Sequence, residues 1–136
     1  MYQKILVPVD GSKLAECVLP HVEAIASGCK AREVVFARVI EPAYPIDAHK
    51  KEAEDYLQDV LNRVNLGGAG GRSEVLIGTT AENLVDYADE KKMDLIIIAT
   101  HGRSGLGRWV WGGIADRILR WGKTPVFMVR VPEEEK

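Results

Sequence analysis

Two stretches of this chain hold residue types whose spacing suits the capture of an anion. Pro8-Val-Asp-Gly-Ser12 closes the first apolar run, and Ala99-Thr-His-Gly-Arg-Ser-Gly-Leu-Gly-Arg-Trp-Val-Trp-Gly-Gly113 packs five glycines into fifteen residues. Glycine lets main-chain amides approach a ligand closely, and a helix that opens from such a loop adds the partial positive charge of its N-terminus, so phosphate is the natural guest. Charge is segregated in the same direction. Between His101 and Arg130, Arg103, Arg108, Arg117, Arg120, Lys123 and Arg130 face Asp116 alone, a local +5 in a chain of net charge −2. The same cations also suit the solvated face of a helix, so both readings stand.

Other chemistries fit less well. Gly102 to Trp109 has the glycine spacing of a P-loop, but Arg108 replaces its lysine and Trp109 the hydroxyl residue that holds Mg²⁺. Gly122-Lys123-Thr124 offers the other end of that motif, with Arg117 where its first glycine belongs and Pro125 opening a strand where a helix is needed. No dinucleotide fingerprint follows the first strand. His101 is the histidine of the candidate loop and has no carboxylate-backed nucleophile beside it; Ser12 and Ser104 lack an activating partner in sequence. His21, on a helical stripe, and His49, in a charged helix, do not suggest a metal. Asp10 also has a plainer role as the turn and capping carboxylate ahead of Gly11-Ser12. Trp109 and Trp111 suit packing of the loop against a neighbouring element more than covering a ligand.

These loops need elements to hold them. Lys4 to Val9 reads as a strand buried on both faces, with Pro8 near its end, where a lost ladder bond matters least. Leu14, Cys17, Val18, His21, Val22 and Ile25 recur at helical spacing, which predicts a helix from Lys13 to Ser27 kinked at Pro20. Glu33 to Ile40 is the second strand. Ala53, Leu57, Val60, Leu61 and Val64 then form one apolar stripe on a helix whose Lys50, Lys51, Glu54 and Asp55 face away. Gly67-Gly-Ala-Gly-Gly71 reads as a flexible connection to a strand at Ser73 to Ile77. A third helix opens at Thr80 with Ala81, Leu84, Val85 and Ala88 inward. Asp94 to Ala99, the most apolar segment, is expected at the centre of the sheet; Gly112 to Trp121 makes the fourth helix and Pro125 to Val131 the last strand. Glu133-Glu-Glu-Lys136 is an acidic tail.

Strand and helix alternating through five strands predict a single-domain, doubly wound α/β fold, a five-stranded parallel sheet with right-handed crossovers and helices on both faces, over residues 1–132. Ligands of such sheets bind beyond the carboxyl ends of the strands at the switch point, which directs attention to the loops after strands one and four. At 136 residues, 46% hydrophobic and 28% charged, the chain suits one globular core, and its net charge excludes a whole-molecule electrostatic grip on nucleic acid. Cys17 and Cys29 are too few for a disulfide scaffold and lack zinc spacing, so they are expected as reduced, partly buried thiols. With no leader pattern and no apolar stretch of membrane-spanning length, the expected home is the cytoplasm.

Taken together, the opening K-I-L-V-P-V-D-G-S, the central D-L-I-I-I-A-T-H-G-R-S-G, the following G-G-I-A-D-R-I-L-R and the final T-P-V-F-M-V resemble the universal stress proteins along nearly the whole chain. The nucleotide-binding branch of that family carries G-x2-G-x9-G-[S/T], whose glycines and hydroxyl wrap the ribose and phosphates of ATP. Here its positions fall on Ala99, Gly102, Gly112 and Gly113, so the first glycine and the hydroxyl residue are replaced. The resemblance implies that Pro8, Val9 and Asp10 line an adenosine pocket, with Asp10 near the ribose or a metal (Mg²⁺ or Mn²⁺ arriving with the nucleotide), and that the backbone of Val39 reads the adenine edge. Ala99, His101, Gly102, Arg103, Gly105, Gly112, Gly113 and Ile114 complete the cofactor-binding set for ATP, ADP or AMP. It also implies a homodimer formed through residues 125–131, and a stress-response regulator with at most slow ATP hydrolysis or autophosphorylation. The departures at Ala99 and Gly113 keep a second reading open, a nucleotide-free homodimeric interaction module of the same fold. An adenylyl-transferring enzyme is disfavoured, because Asp10-Gly11-Ser12 stands where those enzymes carry a histidine-rich signature.

Overall fold

The computed structural model describes residues 1–42, 45–100 and 111–131. Five strands, β1 (Lys4–Pro8), β2 (Glu33–Ile40), β3 (Gly70–Ile77), β4 (Leu95–Thr100) and β5 (Val126–Arg130), form one sheet in the order β3-β2-β1-β4-β5. All four pairings are parallel. The helices are α1 (Leu19–Gly28), α2 (Ile46–Arg63), α3 (Thr80–Glu90) and α4 (Trp111–Trp121).

The alternation of side chains along a strand divides the core into two layers. Ile5, Val7, Val34 and Phe36 point to the face covered by α1 and α2, where Val18, Val22, Leu57 and Val60 meet them. Leu6, Val35, Ile96 and Ile98 point to the other face, under Ala81, Leu84 and Ala88 of α3 and Ala115 and Ile118 of α4. Strands buried on both faces carry continuous apolar runs, which is how Ile5–Val7 and Leu95–Ala99 read in the sequence. The most apolar run, β4, lies inside the sheet but beside the centre; β1 holds the central place, because the chain adds β2 and β3 on one side of it and then returns to add β4 and β5 on the other.

Three expectations need correction. The first helix is divided: a short 3-10 turn covers Ala15–Val18, and α1 begins only at Leu19, so Pro20 lies in its first turn. There the missing N–H has no intrahelical acceptor to lose, and proline begins the helix without kinking it. His21 consequently lies on the exposed side of α1, its ring 5.9 Å from that of Phe127, and is off the buried stripe. The glycine-rich segment is only half a connection: Gly67 and Gly68 turn the chain at positive φ, while Gly70 and Gly71 already pair with Glu33 and Val34. A side chain at Gly71 would press on Leu61, its Cβ coming within 2.8 Å of Leu61 Cδ2, so this glycine is there for close packing against α2. Cys17 and Cys29 are half-buried free thiols as expected, and burial pushes the Cys17 thiol pKa up.

β1 is tied down at its beginning by a side chain. One carboxylate oxygen of Asp94 accepts the amides of Gln3 and Lys4, both at 2.9 Å, while the Asp94 amide donates to the Lys4 carbonyl at 2.8 Å. This fixes the register Ile5 to Leu95.

Both α1 and α3 end with a lysine in the left-handed region, Lys30 at φ 54° and Lys92 at φ 57°. Past α3, Met93 N–H returns to the Ala88 carbonyl at 2.9 Å, the closing bond of a left-handed helix cap. Such a backbone costs a residue with a Cβ roughly 1 kcal/mol that glycine avoids. Lys92→Gly is therefore expected to raise the unfolding free energy by about 0.5–1 kcal/mol in urea titration; a loss of stability would mean that the lysine stem contributes packing that outweighs the backbone cost.

Candidate functional site

The order of strands places the switch point above β1, between β2 and β4, where the crossovers leave in opposite directions. Its opening has a chemical cause. In a parallel ladder each residue turns both its main-chain groups to one neighbour, and the next residue turns them to the other. Val9 donates to the Ala37 carbonyl at 2.9 Å, so Ile5, Val7 and Val9 face β2 and Lys4, Leu6 and Pro8 face β4. Pro8 has no N–H to give. The β1–β4 ladder accordingly stops at Leu6 and Ile96, whereas the β1–β2 ladder continues to Pro8 and Ala37.

Beyond that point the flanking strands run on. The Ala37 carbonyl faces β1, and two residues later Val39 must turn its N–H and C=O the same way, past the end of β1; Ile40, which accepts from Gly78, faces β3. On β4, Ile96 and Thr100 bond to the β5 side, which turns the main-chain groups of Ala99 toward β1. Val39 and Ala99 thus direct hydrogen-bonding backbone toward the crevice from opposite walls, and Pro8 and Val9 form its floor, Val9 being buried. The side chain of Ala99 is 1% exposed and belongs to the core layer under α1 and α2. It is therefore a core strand residue, the last but one of β4, and the methyl group that distinguishes it from glycine is taken up by that core layer.

Asp10 stands at the mouth. Its Oδ1 accepts the Ser12 amide at 2.8 Å and the Ser12 hydroxyl at 2.6 Å, and Ser12 Oγ accepts from the Ala15 amide at 3.1 Å. The turn-and-cap role therefore belongs to Asp10 and Ser12 together, and it orients the Asp10 carboxylate. Gly11, at φ +90°, supplies the left-handed backbone of this turn. On the α4 side, Ile114 packs against the core layer beneath α3 and α4. Gly113 is exposed, and among the described residues a Cβ there meets nothing within 4 Å. Gly112 lies in the first turn of α4. His101, Gly102, Arg103, Ser104, Gly105, Arg108, Trp109 and residues 133–136 lie outside the described residues. The described cations Arg117, Arg120, Lys123 and Arg130 are exposed, with Arg120 paired to Asp116 at 3.0 Å and Arg117 over the Trp121 ring at 5.7 Å.

One cluster was missed from the sequence. Tyr56 of α2 donates to Glu16 Oε2 at 2.7 Å, and Glu16 Oε1 lies 3.2 Å from Arg63. Arg38, exactly one residue before Val39, lays its guanidinium over the Tyr56 ring at 5.6 Å. Burial, followed by the Glu16 hydrogen bond and the negative charges of Glu16 and Asp10, holds the Tyr56 hydroxyl well above its usual range. The legible signal was the single cation in the apolar run EVVFARVI. Among the described residues there is no group of three or more His, Cys, Asp or Glu side chains able to hold a metal, and no helix is long and apolar enough to cross a membrane.

If Pro8 opens the crevice, Pro8→Ala should extend the β1–β4 ladder by one bond, from residue 8 to the Ile97 carbonyl. The expected result is a new amide at residue 8 that is protected in hydrogen exchange; rapid exchange there would show that the strands separate for another reason.

Comparison with known proteins bears on the family and the fold. The model of the universal stress protein family matches residues 1–130. Universal stress protein MJ0531 of Methanocaldococcus jannaschii is 29% identical, over 99% of this chain and 86% of the relative. The solved structure of MJ0577, from the same organism, is 26% identical, with a TM-score of 0.81 over 98% of this chain and 99% of that one. A universal stress protein solved in complex with cAMP is 27% identical, with a TM-score of 0.70 over 96% of this chain and 98% of that one.

Proposed function

The chain belongs to the universal stress protein family, and from that premise we propose that it is an adenine-nucleotide-binding regulator of the stress response, holding ATP, ADP or AMP in the crevice above β1. The observation that carries this reading is the pair of inward-turned main-chain segments at Val39 and Ala99, above the shortened β1. The relative in complex with cAMP supports it. In this reading the backbone of Val39 pairs with the adenine edge, Pro8 and Val9 pack beneath the base, and Asp10 meets the ribose or a Mg²⁺ or Mn²⁺ ion that enters with the phosphates. The phosphates lie toward the start of α4, at Gly112, Gly113 and Ile114, with His101, Gly102, Arg103 and Gly105 contributing from the preceding loop. Amides and helix dipole favour an anion there.

Gly113 lacks the hydroxyl that the family motif places against the terminal phosphates, a hydrogen bond to a charged group worth roughly 1.5–3 kcal/mol. AMP and ADP should therefore bind nearly as well as ATP. Among the described residues a Cβ at this position meets nothing within 4 Å, so Gly113→Ser is expected to favour ATP over AMP by about tenfold or more, roughly 1.4 kcal/mol, in calorimetric titration. The reading itself is tested by denaturing the purified protein and identifying what is released, with titration of all three nucleotides into the wild type and Asp10→Ala. An adenine nucleotide recovered, with affinity reduced by Asp10→Ala, is the expected outcome; an empty protein indifferent to all three at millimolar concentration would overturn it.

A second reading has its own observation. The edge strand β5 exposes two adjacent large apolar side chains, Phe127 and Met128, each 39% accessible, whereas the inner strands β2, β1 and β4 are largely covered. An apolar edge of this kind invites pairing with a second chain, which suits a homodimer through residues 125–131 and, without nucleotide, an interaction module. Light scattering should give a dimer at micromolar concentration and dissociation in Met128→Lys. A wild-type monomer would remove the dimer from both readings.

A further inference from the structure

Arg38 sits beside the crevice and, among the described residues, has no acidic partner. It is only partly exposed, and among the described residues no carboxylate lies within ion-pair distance of it and no acceptor takes a hydrogen bond from its guanidinium. Its position is nevertheless fixed on two sides. Tyr56 lies under it at 5.6 Å, and the Tyr56 hydroxyl is already committed to Glu16. On the other side the guanidinium crowds Gly11: a Cβ at that position would lie 3.1 Å from Arg38 Cζ and Nη1. A cation held in place with its donors unspent is prepared for an anion from outside, and the planar fork of arginine suits phosphate.

Its location says which phosphate. The side chain follows Val34 and Phe36 on the face covered by α1 and α2, whereas α4 begins on the opposite face. A nucleotide whose 5′-phosphates point to the start of α4 cannot bring those same groups to Arg38. The part of the ligand nearest Arg38 is the part nearest Asp10-Gly11, the ribose. We infer that Arg38 is a specificity-determining residue that reads an anionic substituent on the ribose ring, so that the crevice prefers adenine nucleotides carrying a 3′- or 2′-phosphate over those with a plain ribose diol. This rests on the nucleotide reading above and extends it from adenine nucleotides in general to a ribose-phosphorylated class.

Three probes separate the possibilities: 5′-AMP, adenosine 3′,5′-bisphosphate and 3′,5′-cyclic AMP, titrated calorimetrically into wild type, Arg38→Met and Arg38→Lys. Methionine keeps an apolar stem over Tyr56 while removing the charge, and thermal unfolding of each variant reports whether the fold is kept. Wild type is expected to bind the bisphosphate at least about tenfold tighter than 5′-AMP, and Arg38→Met to abolish that preference while leaving 5′-AMP affinity within about twofold. Arg38→Lys should keep part of the preference, since it retains the charge and loses the fork. Cyclic AMP, whose single phosphate bridges both positions, should lose affinity in Arg38→Met. Equal binding of 5′-AMP and the bisphosphate by wild type would overturn the role of Arg38 alone, as would a uniform loss across all three probes in Arg38→Met. Failure of wild type to bind any of them would overturn the nucleotide reading and this inference together.

Discussion

The inability of Pro8 to donate a hydrogen bond toward β4 shapes everything above the sheet. A central parallel strand is bonded on both sides, and each residue serves one neighbour. With an N–H at position 8 the β1–β4 ladder could climb one bond further and narrow the space between them. Proline ends it at Leu6 and Ile96, while the other side of β1 remains zipped to Ala37. The result is a wedge that opens on the β4 side and is roofed by nothing from β1. At the opposite end of the same strand, Asp94 clamps the amides of Gln3 and Lys4. One end of β1 is therefore fixed by a carboxylate and the other released by a missing donor, and the crevice is the consequence of having both on one five-residue strand.

Electrostatics then gives the two sides of the crevice different characters. On the α4 side, the start of a helix offers main-chain amides and a dipole that favour an anion without any side chain. On the α2 side positive charge comes from a guanidinium, shelved on an aromatic ring that is itself locked by Glu16 and Arg63. Asp10 stands between them, its carboxylate oriented by Ser12. Negative charge at the centre and positive charge at both flanks is a pattern that favours a polar ligand with hydroxyls in the middle and anionic groups at its ends.

Much of the fold was legible because burial leaves a mark on composition. The limits of β2 were read residue for residue from EVVFARVI, and the inward face of α3 from Ala81, Leu84, Val85 and Ala88, since both segments follow the period of their element. The misreadings share a cause. Pro20 reads as a kink when a helix is assumed to start at Lys13, and as a favourable opening residue once the preceding turn is 3-10; the residue is the same and only its place in the helix differs. Gly70 and Gly71 read as connection by composition, although both pair in β3 and the missing side chain of Gly71 is what lets the strand lie against Leu61 and Leu66. Thr100 reads as the first loop residue although β4 runs one position past Ala99, because an apolar run does not mark where a strand ceases to pair.

By itself, the sequence determined the class of fold, the order of its elements and the two loops at which function had to be sought, since hydrophobic period and turn chemistry are local properties. The candidate residues Pro8, Val9, Asp10 and Val39 came from its resemblance to the universal stress proteins. Only the tertiary structure decided how they are arranged: which way the main chain of Val39 and Ala99 faces, that the Ala99 methyl is absorbed by the core, and that Arg38 arrives beside Gly11 from a position twenty-seven residues away in sequence. The direction of a backbone bond depends on the register of the neighbouring strand, and the surroundings of a guanidinium depend on which helix covers it. Both are set by contacts between residues distant in the chain, and no local pattern encodes them.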